Sequence, residues 1–356
     1  MRIFYDHLIF NLQNFGGISR YVINLASNLN NINDAKIKIF APIHLNYHLK
    51  KFDNKRRLFF PSNLNFIKKT MMNINDKLFS SSLNKYKPDI FHTTYYSKKQ
   101  RYLNIPKILT VHDLTHEKIS QDKKFLPKKE SIESSDHIIC VSNSTKNDLQ
   151  EFYNVSDNKI SVIYESSGIS TNLINKSNIT KSLKPFLLYV GSRHGYKNFN
   201  NLVIAFSNSE FLKNNYNIIF FGGGKINQDE KKKISDLKIE KNLIFTEGSD
   251  KNLANLYSRC EAFVYPSIYE GFGITLLEAL SFNTKIICSD IPPFKEVCGN
   301  AAIYFNPKSF EDIKSKLENC LKNKINYSFD YKEKILKTFS WKKCAEETFE
   351  VYKKNL

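Results

Sequence analysis

The chain lacks the features of a membrane-spanning or exported protein. None of its apolar runs approaches the ~18 residues that a membrane-spanning helix needs, although 41% of the 356 residues are hydrophobic. Asp6 and His7 interrupt the N-terminus before the apolar core of a signal peptide can form. These absences predict a globular protein of the cytosol. The length predicts two domains of roughly 150 to 200 residues each.

Paired cysteines are also absent. The six cysteines are scattered, without a Cys-x-x-Cys pair, which argues against a disulfide framework and a zinc site. We interpret them as reduced packing residues. His112 and His116 have the spacing of metal ligands on a helix, but they follow a predicted strand and have no evident third ligand. The sequence therefore predicts neither a metal nor another cofactor.

Arginine is scarce in a chain that is otherwise strongly basic. Only 7 of the 53 basic residues are arginine, and the formal net charge is +18. Residues 50–129 carry 19 basic and 6 acidic side chains, a net +13. This excess is either a solvated Lys-rich surface or a surface for anionic lipid or a pyrophosphate-bearing acceptor. Under the second interpretation, neutralising Lys123, Lys124, Lys128 and Lys129 should reduce liposome binding.

Short β-prone runs alternate with helix-capable segments along the chain. This pattern predicts an α/β fold, with parallel sheets covered by helices on both faces. A polar passage over residues 166–184 is typical of a linker, and the pattern restarts after it. The predicted strands are 2–5, 37–40, 58–60, 90–91, 108–111, 137–141, 160–164, 186–190, 217–221, 243–246, 262–265 and 285–288.

Two glycine-containing loops precede predicted helices. Gly16 and Gly17 lead into the first, and the strand 262–265 stops at Pro266 before an apolar helix that begins near Gly273. A helix N-terminus offers unpaired N–H groups and a partial positive charge, so it can bind a phosphate. The missing Cβ of glycine lets the backbone approach such a ligand, although a plain turn is the simpler interpretation of Gly16-Gly17.

Charged side chains flank the second glycine loop. Glu270 precedes its helix and Glu278 lies inside it, where Thr275-x-x-Glu278 also matches a capping box. Arg193 and Lys197 follow the strand that opens the second half, and their side chains suit a phosphate unless both are merely solvent-exposed. Two carboxylates around a phosphate-ready helix end suit a nucleotide sugar, whose hydroxyl-rich parts lie on either side of a pyrophosphate.

His112 and, more weakly, His92 follow predicted strands, where a parallel sheet presents ligand-contacting side chains. A structural or hydrogen-bonded surface histidine is the alternative for both.

These motifs together resemble the retaining glycosyltransferases of family GT4, which have the GT-B fold. The resemblance covers essentially the whole chain. It rests on Phe15-Gly16-Gly17-Ile18-Ser19-Arg20-Tyr21, Val111-His112-Asp113-Leu114, Gly191-Ser192-Arg193 with Lys197-Asn198, Leu256-Tyr257-Ser258, Pro266-Ser267-x-Tyr269-Glu270-Gly271-Phe272-Gly273, Glu278-Ala279-Leu280, Cys288-Ser289-Asp290-Ile291-Pro292-Pro293-Phe294-x-Glu296-Val297 and Phe339-Ser340-Trp341.

The resemblance implies two Rossmann-like domains that face an interdomain cleft. Residues 1–170 would bind the acceptor, residues 171–338 would bind the nucleotide sugar, and residues 339–356 would form a helix that crosses back to the first domain. Catalytic roles would fall to His112 and Glu270. Substrate contacts would come from Gly16, Gly17, Arg193, Lys197, Phe272, Gly273, Ile274, Thr275 and Glu278, without a metal.

The function implied by resemblance is transfer of a hexose from a nucleotide diphosphate sugar to a growing, lipid-linked surface glycan. The resemblance favours GDP-mannose as the donor. The enzyme would work in the cytoplasm or peripherally on the inner face of the membrane. The alternatives are an epimerase or phosphorylase on the same fold, or a nonenzymatic polyanion-binding protein; nucleic acid is not expected as a partner.

The sequence departs from the family pattern at two places. Asn283-Thr284-Lys285 stands where the family tends to have Gly-Thr-Pro, a turn that Asn can preserve because it tolerates the left-handed conformation. Glu165-Ser166-Ser167 stands where the family often has Asn-Gly-Val, which leaves the contacts of this segment open.

Overall fold

The protein folds into two compact units. A computed structural model describes residues 1–52, 57–97, 103–120, 126–174, 184–323 and 329–356. The first unit comprises Met1–Gly168 with Phe339–Leu356, and the second comprises Ile169–Thr338. Residues 175–183 of the predicted linker lie outside the described residues. No helix within the described ranges is both long and apolar enough to cross a membrane.

A six-stranded parallel sheet forms the centre of the first unit, in the order β2-β1-β5-β6-β7-β8. A separate parallel pair, β3 and β4, lies beside it. The elements are β1 (Arg2–Tyr5), α1 (Leu8–Leu12), α2 (Gly17–Leu29), β2 (Lys36–Ile39), β3 (Ile43–His44), α3 (Tyr47–Phe52), β4 (Leu58–Phe59), α4 (Asn65–Tyr86), β5 (Ile90–Thr93), β6 (Lys107–Val111), α5 (Leu126–Ser134), β7 (His137–Cys140), α6 (Asn143–Tyr153) and β8 (Ile160–Val162).

The last helix of the chain, α15 (Trp341–Lys354), belongs to the first unit. Its Ala345, Phe349 and Tyr352 share one hydrophobic core with Leu25 of α2 and Tyr5 of β1. Burial of such apolar side chains contributes roughly 25 cal/mol per Å² removed from water. The helix therefore covers one face of the sheet as an integral part of the unit.

The second unit repeats the architecture with the strand order β11-β10-β9-β12-β13-β14, again all parallel. Its elements are β9 (Phe186–Val190), α7 (Phe199–Ser207), α8 (Glu210–Asn215), β10 (Asn217–Phe221), α9 (Gln228–Asp236), β11 (Leu243–Thr246), α10 (Asp250–Tyr257), β12 (Ala262–Tyr265), α11 (Ile274–Ser281), β13 (Ile286–Ser289), α12 (Pro292–Cys298), β14 (Ile303–Phe305), α13 (Phe310–Lys322) and α14 (Phe329–Thr338).

The alternation of strands and helices confirms the predicted parallel α/β class. The strand predicted at 58–60 is present as β4, although it pairs with β3 outside the main sheet. The strands β3 and β14 were not predicted. Asn283 has φ +60, so the turn before β13 is left-handed as predicted. All six cysteines are free, and five of them are buried.

Candidate active site

The loop after β12 ends in a helix N-terminus. Gly273 is the N-cap of α11 with φ +115, a conformation that L side chains rarely adopt. A Cβ on Gly273 would lie 3.0 Å from Leu276 Cδ1 and 3.1 Å from Phe294 Cε1. Phe272 is buried just before this cap, and Ile274 and Thr275 open the helix. The first-turn N–H groups of the helix point away from it and can receive an anion.

The capping-box interpretation of Glu278 is wrong. The N-cap is Gly273, which has no side chain to accept a cap hydrogen bond, so Glu278 becomes the fifth helical residue. Its side chain is buried and its Oε2 accepts a hydrogen bond of 3.1 Å from the Tyr257 hydroxyl. Burial and the Glu278 carboxylate raise the pKa of Tyr257 well above its ordinary value, so the hydroxyl keeps its proton and donates.

Lys197 and Glu270 form an ion pair, with 2.6 Å between Nζ and Oε1. The Lys197 loop is tied to the loop after β12 by Asn198, whose amide donates to Pro266 O at 2.9 Å. Burial alone lowers the pKa of Lys197, but Glu270, Tyr265 and other neighbours outweigh it and hold that pKa well above its ordinary value. Lys197 is therefore protonated, and Glu270 neutralises its charge in the loop that leads to α11.

Arg193 occupies the same loop, but its side chain faces the protein interior. Its guanidinium is fully buried and pairs with Glu230, at 2.9 Å between Nε and Oε1. The remaining donors reach the carbonyls of Gly222, Gly224 and Lys225. The expectation that Arg193 contacts a phosphate directly is therefore corrected. Its donors connect the loops after β9 and β10, and so stabilise the loop that also carries Lys197.

In the first unit, the glycine loop forms the start of α2. Gly16 is the N-cap in an extended conformation, and its carbonyl accepts from Arg20 N at 3.1 Å and Ser19 Oγ at 3.1 Å. Gly17 is exposed, and a Cβ built on it meets nothing within 4 Å. The space in front of Gly17 is open to a ligand. The fold alone does not require glycine at this position.

His112 follows β6 and is held between an aromatic ring and a carboxylate. The Tyr21 ring meets it edge-on, with centroids 4.8 Å apart. Its Nδ1 lies 3.8 Å from Glu165 Oε1, and only 13% of the His112 side chain is exposed. Sequence reasoning gave no role to Glu165, because a carboxylate 53 residues away carries no local signal.

His92, the weaker candidate, is a buried structural histidine. Its Nδ1 lies 2.6 Å from the Tyr352 hydroxyl, and its Nε2 lies 2.9 Å from Thr110 Oγ1. Tyr352 in turn meets the Tyr5 hydroxyl at 2.7 Å. Burial lowers the pKa of His92 from 6.5 to about 3, with a smaller contribution from His112. The imidazole is therefore neutral and connects α15 to the sheet.

The predicted residues separate into two groups, each within one unit. The second unit gathers Lys197, Glu270, Glu278 and residues 272–275 at the carboxyl ends of its strands, while the first unit holds Gly16, Gly17 and His112. Within the described residues, no group of three or more His, Cys, Asp or Glu side chains converges as metal ligands. Contacts that only the structure reveals are those of Glu165 with His112, Tyr257 with Glu278 and Glu230 with Arg193.

Comparisons with known proteins agree with this architecture. Residues 15–166 match the family described as Glycosyltransferase Family 4, and residues 170–337 match that described as Glycosyl transferases group 1. Sucrose-phosphate synthase from Thermosynechococcus elongatus shares the fold with a TM-score of 0.76, at 16% identity, over 99% of this chain and 98% of that one.

Curated relatives include two bacterial mannosyltransferases. The O-antigen chain mannosyltransferase RfbU of Salmonella typhimurium is 35% identical over 54% of this chain and 52% of its own length. The O-antigen chain mannosyltransferase B of Escherichia coli is 25% identical over 63% of this chain and 62% of its own. The chain thus spans little more than half the length of these relatives. Its two family matches, with the paired parallel-sheet units, show that the chain belongs to the family 4 glycosyltransferases and has the GT-B fold.

Proposed function

We propose that this protein transfers a hexose from a nucleotide diphosphate sugar to a growing surface glycan, with retained configuration and without a metal. The observation that carries the proposal is the cluster in the second unit. There a helix N-terminus capped by Gly273 adjoins the Lys197–Glu270 pair and the buried Glu278. The names of the relatives RfbU and mannosyltransferase B support mannose as the sugar, and we infer GDP-mannose as its activated form.

Each group of the cluster has a distinct role in holding the donor. The N–H groups of Ile274 and Thr275 and the Lys197 ammonium would bind the diphosphate. Glu278 would accept hydrogen bonds from the ribose hydroxyls. Glu270 would contact hydroxyls of the transferred sugar once the diphosphate has drawn Lys197 towards itself.

The reaction needs stabilisation of the departing diphosphate. As the bond between the sugar C1 and the phosphate oxygen breaks, negative charge grows on that oxygen, and the α11 N-terminus and the Lys197 ammonium, once drawn from Glu270, would stabilise it. The acceptor hydroxyl bonds to C1 on the same face, and its proton passes to the departing phosphate oxygen. Electrostatic stabilisation of this kind removes the need for a metal ion.

A donor panel tests the proposal. Because a ligand that binds only the folded state raises apparent stability, the correct donor should raise the melting temperature and be consumed in the presence of glycan acceptor. Glu278→Gln should weaken donor binding about tenfold, and a 2′- or 3′-deoxyribose donor should then lose nothing further. Absence of binding by every nucleotide sugar would reject the proposal, and turnover without acceptor would indicate an epimerase or phosphorylase.

We also propose that the first unit docks on an anionic membrane surface, where a lipid-linked acceptor would be found. Four large apolar side chains around the start of α4 are more than half exposed: Phe15 (63%), Phe60 (52%), Leu64 (62%) and Phe66 (72%). Asn14 Nδ2 donates to Ser62 O at 3.4 Å and to Asn63 Oδ1 at 2.6 Å, so these segments lie side by side. Solvent-exposed Lys50, Lys51 and Lys69 add positive charge nearby in sequence.

The structure corrects the role of one of the four lysines first expected to bind lipid, whereas Lys129 is exposed, with 3.7 Å between its Nζ and Glu133 Oε1. Lys128 is buried against Glu117, with 3.0 Å between Nζ and Oε2, and cannot reach a lipid head group. Lys123 and Lys124 lie outside the described residues, as do Lys55, Arg56, Lys98 and Lys99 of the basic stretch. Exposed apolar side chains together with cations are typical of surfaces that lie in a membrane interface.

Liposome sedimentation tests the docking surface. The protein should sediment with vesicles that contain phosphatidylglycerol and remain in solution with phosphatidylcholine alone. Replacement of Phe60, Leu64 and Phe66 by Ser should abolish sedimentation. The matched control replaces Leu173 and Ile174 of the second unit, which are 37% and 38% exposed, and should sediment normally. Equal sedimentation of both variants would refute the assignment.

A further inference from the structure

Glu165 is a buried carboxylate that lies against His112 at the carboxyl edge of the first unit's sheet. Its Oε1 is 3.8 Å from His112 Nδ1, and only 6% of its side chain is exposed. We propose that Glu165 is a positioning residue, which holds the His112 imidazole with its proton on Nδ1. The other nitrogen, Nε2, is then the one presented to a substrate. The catalytic role expected of His112 rests on the proposed function, whereas the position of its proton does not.

The backbone around Glu165 is anchored on its C-terminal side. Ser166 Oγ donates to Phe339 O at 2.8 Å, and Trp341 Nε1 donates to Ser167 O at 2.8 Å. These two hydrogen bonds attach the Glu165 segment to the start of α15. They fix the backbone from which the Glu165 side chain extends towards His112.

The opposite side of the His112 ring is restrained by aromatic packing. Tyr21 meets the imidazole at an interplanar angle of 84°, and Trp341 packs on Tyr21 with centroids 5.8 Å apart. Trp341 therefore contacts Tyr21 through its ring and the Glu165 segment through its Nε1. One residue of α15 thus couples both restraints on His112.

A charge this deep in the protein needs a partner. A desolvated carboxylate is costly unless a hydrogen-bond donor or cation faces it. Within the part of the chain that the structure describes, His112 is the basic group in ion-pair range of Glu165. A neutral imidazole next to a carboxylate favours the tautomer with the proton on the nearer nitrogen, here Nδ1. Asparagine, which the family pattern often has at this position, would supply no charge to select that tautomer.

Histidine-labelled protein tests the position of the proton directly. ¹⁵N chemical shifts separate the two tautomers, and the His112 signals are identified by their loss in His112→Gln. The unsubstituted protein should show a proton on Nδ1, and Glu165→Gln should shift the population towards Nε2–H. If Glu165→Gln does not fold, Glu165→Asn makes the same charge change with a shorter side chain.

The matched control is Asp89→Asn. Asp89 is also a carboxylate of the first unit in an ion pair, with 3.0 Å between Oδ1 and Arg2 Nη2. It precedes β5 and therefore lies at the amino ends of the strands, whereas His112 lies at their carboxyl ends. This variant should leave the His112 signals unchanged. Identical His112 spectra in Glu165→Gln and Asp89→Asn would overturn the proposal.

A double-mutant cycle tests the functional coupling. Glu165→Gln should lower kcat about 10- to 100-fold, as a small misplacement of a substrate-positioning group does. The KM for the donor should stay unchanged, because the donor groups belong to the second unit. Glu165→Gln in a His112→Gln background should cost nothing further, whereas additive losses would contradict a role through His112. If no donor is ever turned over, the proposed function fails, but a tautomer shift in Glu165→Gln still supports the positioning role.

Discussion

Lys197 Nζ and Glu270 Oε1 lie 2.6 Å apart, although 73 residues separate them in the chain. The loop after β9 supplies the cation and the loop after β12 supplies the carboxylate. Each partner neutralises the other while no donor is bound. Under the proposed function, the diphosphate of the donor must therefore compete with Glu270 for the Lys197 ammonium.

This competition predicts opposite effects for the two partners on nucleotide affinity. Lys197→Gln should weaken binding of a nucleoside diphosphate at least tenfold, because it removes a charge-assisted contact. Glu270→Gln should leave this affinity unchanged or increase it, since the ammonium is released, yet it should lower the rate of sugar transfer. Isothermal titration with the nucleoside diphosphate, alongside a transfer assay, separates the two effects. Weaker nucleotide binding in Glu270→Gln would contradict the competition.

Arg193 should matter for stability more than for nucleotide binding. Arg193→Met removes the ion-pair partner of the buried Glu230, which keeps the hydrogen bond of 2.8 Å from Asn227 N, and should cost about 3 kcal/mol of unfolding free energy. Arg193→Lys should restore little of this loss, because Lys lacks the planar fork that reaches Glu230 and the carbonyl of Gly224 together.

Removal of both charges distinguishes the structural role of Arg193 from phosphate binding. The double variant Arg193→Met, Glu230→Met should be more stable than Arg193→Met alone, since no buried charge is left without a partner. Denaturant unfolding followed by circular dichroism measures the difference. Nucleotide affinity, measured at a temperature where the variants are folded, should fall less than in Lys197→Gln; a larger fall would restore Arg193 as a phosphate ligand.

The local signals in the sequence were sufficient for the architecture and for part of the site. Gly273 follows a strand and precedes an apolar run, and only glycine readily takes φ +115 there, so the helix start could be predicted. Asn283 likewise predicted a left-handed turn, and its φ is +60. Both features depend on residues within a few positions of each other.

The failures at Arg193 and Glu165 share a physical cause, which is contact between residues distant in sequence. Arg193 carries the right charge for a phosphate, but its guanidinium pairs with the carboxylate of Glu230 on α9. The capping box failed because Gly273 starts the helix two residues before Thr275. Glu165 matched no motif, and its role depends on the distant His112. Periodicity contains no information on such pairings.

The two glycine loops should respond in opposite ways to alanine. At Gly273 the left-handed φ and the contacts with Leu276 and Phe294 make a Cβ strained, so Gly273→Ala should cost about 1–3 kcal/mol and impair donor binding. At Gly17 the site is helical and open, so Gly17→Ala should leave the stability unchanged or raise it by up to about 1 kcal/mol.

Activity then reveals what Gly17 does. If a substrate approaches the backbone there, Gly17→Ala should raise KM several-fold in a protein that unfolds no earlier than the unsubstituted one. Thermal unfolding and steady-state kinetics on the same samples provide the comparison. Unchanged kinetics in Gly17→Ala would show that no substrate comes close to this residue.

The stability of the first unit should fall in mild acid because of His92. Its pKa is about 3 in the folded protein against 6.5 as the ordinary value, so below pH 6.5 the unfolded chain binds a proton that the folded one does not. Stability is therefore complete above pH 6.5 and declines towards pH 3, by at most about 1.4 kcal/mol per pH unit. Between pH 7.5 and pH 5.0 the loss from His92 alone should be about 2 kcal/mol.

Trp341, the only tryptophan of the chain, makes this loss measurable for the first unit alone, because it is partly buried in that unit's core. Urea titrations followed by its fluorescence at several pH values should show that His92→Gln loses about 2 kcal/mol less than the unsubstituted protein over this range. His44, whose pKa is lowered to about 4 mainly by burial, contributes an acid sensitivity that both proteins retain. His116→Gln, which removes an exposed imidazole from the same unit, is the control. The same pH dependence in all three proteins would mean that His92 can be protonated without unfolding, and that the hydrogen bonds to Tyr352 and Thr110 do not require a neutral ring.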